Sequence, residues 1–517
     1  MLKKILINLM LFISGSCLLY AESPEKNRNE PKSYNQSHKN QSKNLNVRKT
    51  SPHSNNNSTL DYTNLYPTQP DTQSAKMGNL YAILEALSFG DPDLNITYPQ
   101  DSNPYNVNIV GFISDSVSLS RHASAFIDCL QHHMPLTLIK TRKGGLQDIP
   151  EYLRNIVNHG IDLTNTKTHE YFKNNDLKLT GITVFTDGLT ISWQEYLDLP
   201  NHSSVKIMFT VTERTEVPEI FVTKMNQNFD ALVVPDPWMI DVLKNSGVTL
   251  PIFVLPLVLD HNLQSLLTLP LKQTSNKPFT FGMTGGFTPR KNHSLILKAF
   301  AEEFGNNPNF KLRLHGAYGK GVARLLSMQQ EYHLSNVEII QKRFSRQEYE
   351  DFIRSLDCYS FVSKGEGFSI TPREAMAAGV PCIISNNTAH KVICKTGFVC
   401  SVPSNIIEPA YYVPMEKYIG NDFNCDINDV KKAMREVYNN YKNYLALAPK
   451  AREWVTQYLT ENLTLYYLNL IKPRLVILGP DNLITNEYLM TNSEKLYKKY
   501  QELCYATNTV FKNSLKK

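Results

Sequence analysis

Tryptophan is nearly absent, with three in 517 residues, and no two of the eight cysteines have the paired or metal-ligand spacing of a disulfide scaffold or zinc site. Of the seven beyond Cys17, at least one stays unpaired unless two chains join. Charge of one sign is also scarce. A net charge of +6 spread over 54 basic and 48 acidic residues gives neither a basic stripe interleaved with aromatics nor a nucleic-acid motif, which argues against a nucleic-acid partner. Asp91-Pro92-Asp93 has the form of an Asp-x-Asp metal motif but lies in a linker with no strand to aim it, so no metal is expected.

Aliphatic residues are scarce from 22 to 78, which are rich in Asn, Ser, Lys and Gln. Such a segment cannot bury enough apolar surface to offset its chain entropy, and reads as a flexible stalk. Ahead of it, Lys3 and Lys4 precede an uncharged stretch from Ile5 to Tyr20 and a small residue at Ala21. Residues 1–21 thus read as a signal peptide or signal anchor, with a membrane tether through the N-terminus as one expectation. Export would separate the protein from a cytosolic pool of activated substrate unless it works in a lumen or on a tether.

What remains is long enough for two α/β domains, expected over 79–262 and 263–455, with a link near 260–276, a crossover helix over 456–480 and an unassigned polar tail over 481–517. Val107 to Phe112, Ala231 to Val234, Phe279 to Met283, Phe310 to Leu314 and Cys358 to Val362 are apolar runs of buried-strand type. Helical periods alternate with them, as in a doubly wound parallel sheet.

The most informative stretch is GEGFSITPREAMAAGVPCIIS, residues 365–385. Thr371-Pro372-Arg373-Glu374 reads as a capping box, with Thr371 at the N-cap and Glu374 reaching back, and Gly379 closes the short helix. Capping leaves Glu366 unexplained. It lies between Gly365 and Gly367 at the expected carboxyl edge of a parallel sheet, where such folds bind ligands, beside a helix N-terminus suited to phosphate. A carboxylate at that place suits sugar hydroxyls.

Glu366-Gly367-Phe368 followed by Glu374-Ala375-Met376-Ala377-Ala378-Gly379-Val380-Pro381 resembles the donor-site signature of the family 4 retaining glycosyltransferases. The resemblance implies the GT-B fold, two Rossmann-like domains facing across a cleft. It also implies a metal-independent enzyme that moves a sugar from a nucleotide diphosphate to an acceptor hydroxyl on a glycan, lipid or protein. Glu366 would lie by the donor sugar and Glu374 at the nucleotide ribose, with Gly367, Phe368, Ser369, Ile370 and Thr371 lining the donor site. Ser369 stands where the family often has Gly, and Thr371 where it often has Pro. The basic pair Arg290 and Lys291, in the loop after Thr284-Gly285-Gly286, would neutralise the diphosphate, although the Arg that often follows the first Gly of that loop is absent. On the acceptor side the candidates are Glu213, which could equally be an exposed loop acid, and His122, although a lone histidine is more often structural than catalytic. Two other readings of the same fold stay open: a non-catalytic scaffold that binds glycans or a partner, and a sugar epimerase.

Overall fold

The computed structural model describes residues 107–471, apart from 115–119, 148, 166–167, 169–181, 187–204, 251 and 413–414, together with 476–477 and 483–484. These all belong to one compact unit of the chain. The signal or anchor at 1–21, the stalk at 22–78, Asp91-Pro92-Asp93 and all of the 481–517 tail but Leu483–Ile484 lie outside the described residues.

The first sheet is built from β1 (Val107–Gly111), β2 (Leu136–Lys140), β3 (Ile161–Asp162), β4 (Ile182–Phe185), β5 (Val205–Phe209), β6 (Ala231–Val234) and β7 (Ile252–Val254). Every pairing is parallel and the order is β3-β2-β1-β4-β5-β6-β7. The strands are near-continuous apolar runs because crossover helices cover a parallel sheet on both faces; Val107, Ile109, Ile182, Val184, Leu232 and Val233 are wholly buried.

The second sheet contains β8 (Phe279–Thr284), β9 (Phe310–His315), β10 (Val337–Ile340), β11 (Cys358–Phe361), β12 (Cys382–Asn386) and β13 (Cys400–Pro403). It too is parallel, in the order β10-β9-β8-β11-β12-β13. The order reverses between β8 and β11, and it is there, at a topological switch point, that doubly wound sheets bind ligands. The loops leaving β8 and β11 carry Arg290-Lys291 and Glu366.

Three features differ from the sequence expectation. The 260–276 link opens with a helix, Asp260–Leu267, whose Leu263 and Leu266 are buried and whose Asp260 accepts the backbone and hydroxyl of Thr460 at 2.7 Å each. Between β13 and the helix Ile427–Asn439 stands an antiparallel hairpin, β14 (Ile406–Tyr412) and β15 (Lys417–Asn424), which the reading of motifs passed over. The run Val380 to Ile384, whose apolar and β-branched residues have the length of a strand in the sequence, pairs as one only from Cys382.

Past the helix Tyr441–Val455, the helix Thr460–Ile471 returns to the first sheet. Tyr467 packs edge-on against Phe126 at 4.9 Å, on the helix Arg121–Leu130, and its hydroxyl donates to the Pro256 carbonyl at 2.9 Å. Among the described residues, no helix is long and apolar enough to cross a membrane.

Candidate functional site

The elbow between β11 and the helix Ile370–Ala377 is not built as a capping box. The helix starts before Thr371, and its N-cap is Ser369 in the left-handed region (φ 66°, ψ 73°), with no side-chain cap. Thr371 instead accepts the Tyr359 hydroxyl at 2.7 Å. The Glu374 carboxylate, 3% exposed, turns away from the helix start to accept from Asn262 Nδ2 at 2.6 Å and the Tyr349 hydroxyl at 2.5 Å, with Arg346 Nη1 3.7 Å away. Two side-chain donors from other elements offer Glu374 more than the single backbone N–H of a capping box would. The capping box of this region lies elsewhere, at Ser345 and Glu348.

Glu366 is gathered with both members of the basic pair. Arg290 and Lys291 sit in a 3-10 turn, Pro289–Lys291, that ends on Asn292 in the left-handed region (φ 65°), where asparagine is among the few tolerated side chains. Asn292 pins the turn by donating to the Val362 carbonyl at 3.1 Å and to Asn424 Oδ1 at 2.8 Å. From there Lys291 Nζ reaches both Glu366 oxygens, at 2.7 and 2.9 Å, and Arg290 Nη1 lies 3.0 Å from Oε1. The Ser363 hydroxyl donates to Oε1 at 2.6 Å, and the Glu366 backbone N–H donates to Thr388 Oγ1 at 2.8 Å. Burial would raise the Glu366 pKa, but Lys291 and then Arg290 outweigh it and hold the carboxyl at about 2. At any ordinary pH it is a charged acceptor.

Glu213, from the loop after β5, joins this cluster through Arg290 Nη2 at 2.9 Å while remaining 41% exposed. The two glycines that flank Glu366 explain how the loop comes so near. A Cβ on Gly365 would stand 2.1 Å from the Glu213 carbonyl oxygen, and one on Gly367 would stand 2.0 Å from Val211 Cγ1. Gly365→Ala should therefore unseat the loop that carries Glu213 and lower stability by about 1–3 kcal/mol, the usual cost of overpacking, read as a fall in Tm with faster proteolysis. Gly367→Ala should cost less, because a side chain rather than backbone has to give way.

The remaining candidates are placed differently. Phe368 is buried beneath the Arg373 guanidinium, 4.1 Å from its ring centroid, so its ring is packing. Ile370 packs partly buried against the core. His122 is 5% exposed, with its ring 4.5 Å from Phe209 and Nδ1 3.3 Å from the Thr186 carbonyl; burial lowers its pKa to about 4. None of its recorded contacts reaches Glu366, Arg290 or Lys291.

Sequence reasoning missed Ser363, three residues before Glu366, and the residues that hold the cluster from a distance in the chain. Thr388, Asn262 and Tyr349 carry no local signature, and only folding brings them to the two carboxylates. The hairpin was also missed, yet it ties the site together. Phe423 N–H donates to the Lys364 carbonyl at 2.8 Å, Lys364 pairs with Glu408, and Asn421 N–H donates to Thr215 Oγ1 at 2.8 Å beside Glu213. Ile406 to Tyr412 does not alternate apolar with polar residues and carries Pro409, so the strand period that would have announced the hairpin is missing.

Residues 271–412 match the family described as Glycosyl transferases group 1. Both site loops of the second sheet, and the hairpin as far as Tyr412, fall within that range. No curated protein matches the chain. Among solved structures, sucrose-phosphate synthase of Thermosynechococcus elongatus superposes with a TM-score of 0.51 at 14% identity, covering 71% of this chain and 98% of that one. HepE of Anabaena, solved in complex with UDP-glucose, gives 0.51 at 9% identity and covers 71% and 100%. TarM gives 0.44 at 15% identity, and there the match spans 56% of this chain and 55% of TarM. At these identities the likeness is one of fold. The chain carries a glycosyl transferases group 1 domain within a two-domain, Rossmann-like GT-B architecture.

Proposed function

We propose that the protein is a nucleotide-sugar-dependent glycosyltransferase, transferring a sugar from a nucleotide diphosphate to an acceptor hydroxyl with retention, as a family 4-like enzyme. The observation that carries the reading is the cluster at the switch point of the group 1 domain, where Lys291 and Arg290 converge on an ionised Glu366. Two cations and a carboxylate are the complement of a sugar diphosphate. On binding, the diphosphate would draw Lys291 and Arg290 from Glu366 and leave the carboxylate to accept sugar hydroxyls. As the bond from the anomeric carbon to the diphosphate breaks, the same cations would stabilise the charge on the departing oxygen, without a metal ion. The acceptor oxygen would bond to that carbon on the same face and pass its proton to the leaving diphosphate. Glu213, exposed beside Arg290, stands on the acceptor side of this arrangement.

Calorimetric titration with a panel of nucleoside diphosphates and their glucose conjugates tests the reading. One diphosphate should bind well above the others, and its sugar conjugate should be consumed when an acceptor is supplied. Equal, negligible heats across the panel would favour the scaffold reading. Conversion of the donor sugar with no acceptor would favour an epimerase.

Glu374 is read as the ribose-binding carboxylate, and Glu374→Ala should weaken binding of the preferred nucleotide by about tenfold. It should also cost about 1–3 kcal/mol of stability, because Asn262 and Tyr349 lose their acceptor. Unchanged affinity together with a lower Tm would confine Glu374 to a structural role.

A further inference from the structure

Ser369 occupies a backbone conformation that glycine takes freely and a serine takes only at a cost (φ 66°, ψ 73°). What holds it there can be followed atom by atom. The Ser385 hydroxyl donates to the Ser363 carbonyl at 2.7 Å, which uses its one proton. Its oxygen, 3.0 Å from His390 Nδ1, must therefore accept, so Nδ1 carries the ring proton and Nε2 is bare. The Ser369 hydroxyl, 2.6 Å from Nε2, is then the donor. A directed chain runs from Ser369 through His390 and Ser385 to the backbone of the residue that hydrogen-bonds Glu366. His390 is wholly buried, and its neutral ring fits this pattern, since burial lowers its pKa to about 4. Arg373 grips the same turn from its other side, donating to the Ser369 carbonyl at 2.9 Å.

We infer that His390 is a positioning residue for the donor site: by accepting the Ser369 proton it holds the left-handed turn that opens the helix Ile370–Ala377. The inference rests on the donor-site reading above. With its proton committed to His390, the Ser369 hydroxyl has none to give a phosphate, so donation at this turn falls to the backbone N–H groups of Ile370 and Thr371, because Pro372 has none and that of Arg373 makes the first internal bond of the helix to the Ser369 carbonyl. Their geometry depends on the conformation of residue 369. A serine needs the histidine to hold it, and a glycine would not.

Position 369 itself supplies the test, by calorimetric titration of the full chain with UDP, GDP, ADP, CDP and TDP. Ser369→Ala keeps a Cβ in the left-handed region and removes the hydroxyl, and should weaken the preferred diphosphate by about tenfold. Ser369→Gly also lacks the hydroxyl but takes the conformation unaided, and should stay within about threefold of the parent. His390→Leu should weaken binding by about tenfold in the serine background and have little effect in the Ser369→Gly background. His390→Gln, which keeps an acceptor near the place of Nε2, should retain most of the affinity. If Ala and Gly at 369 bind alike, or His390→Leu costs the same in both backgrounds, His390 has no positioning role. Should the parent itself bind none of the five, the donor-site reading falls and this inference with it.

Discussion

Glu366→Gln and Lys291→Ala should each lower turnover on the preferred donor by about 10²- to 10³-fold, the usual loss when one preorganised stabiliser of developing charge is removed. They should differ in what else they change. Glu366→Gln keeps an oxygen for the Ser363 hydroxyl and a group of the same size, but leaves Lys291 and Arg290 beside each other without the anion that both contact. Diphosphate alone should then bind no more weakly than to the parent, so the signature of this variant is loss of turnover with nucleotide affinity preserved. Lys291→Ala removes a cation that is 18% exposed at its side chain from a carboxylate that is 6% exposed. Arg290 stays in place, so the loss is smaller than for a buried pair stripped of its one partner, and about 1–2 kcal/mol of stability should go with the activity. Initial rates at saturating donor, nucleotide affinity and Tm, measured on both variants, check the pattern. Full turnover in both would remove the cluster from the chemistry.

Three central strands of the second sheet, starting at Phe279, Phe310 and Cys358, could be read from its apolar runs, because a doubly wound sheet writes its period into local sequence. The same is true of the group around Glu366. Arg290, Lys291 and Glu366 lie in two short segments, and a carboxylate between two glycines has few structural uses, whereas Glu213 and Thr388 join from elsewhere in the chain. The capping box at Thr371 misled because local chemistry permits it, while Tyr359, Asn262 and Tyr349 compete from elsewhere in the fold. Asn262 and Tyr349 come from helices far from Glu374 in the chain, so no window around residue 374 contains them. Gly365 and Gly367 were visible as glycines, but their purpose was not, since the atoms they make room for belong to the loop after β5. Ser369 is the sharpest case. In sequence it is a departure from the family pattern, and the histidine that compensates stands 21 residues on, with nothing between to link them.

Acidification from pH 7 to pH 5 should lower stability by about 4 kcal/mol, through histidines the fold keeps neutral. His122, His390 and His293 are 5%, 0% and 3% exposed, and burial, the leading cause in each, lowers their pKa values from 6.5 to about 4, 4 and 3. A group whose folded pKa is depressed stabilises the fold above its unfolded pKa, and that stability is lost as pH falls toward the folded value. Here the unfolded chain takes up protons from about pH 6.5 while the folded chain does not, which costs about 2 kcal/mol per histidine by pH 5. Asp236 runs the other way. Burial raises its pKa to about 7, so the folded chain binds a proton there first, and this offsets about 2 kcal/mol over the same interval. Glu366, held at about 2, adds nothing until the pH drops below about 4.5. His293→Phe isolates one contribution, because among the described residues the His293 ring has at most a weak contact with the His315 backbone to lose and already lies 4.8 Å from Phe287. Denaturant unfolding at pH 7 and pH 5 should show the parent losing about 4 kcal/mol and His293→Phe about 2. Equal losses in the two proteins would place the acid sensitivity in other groups.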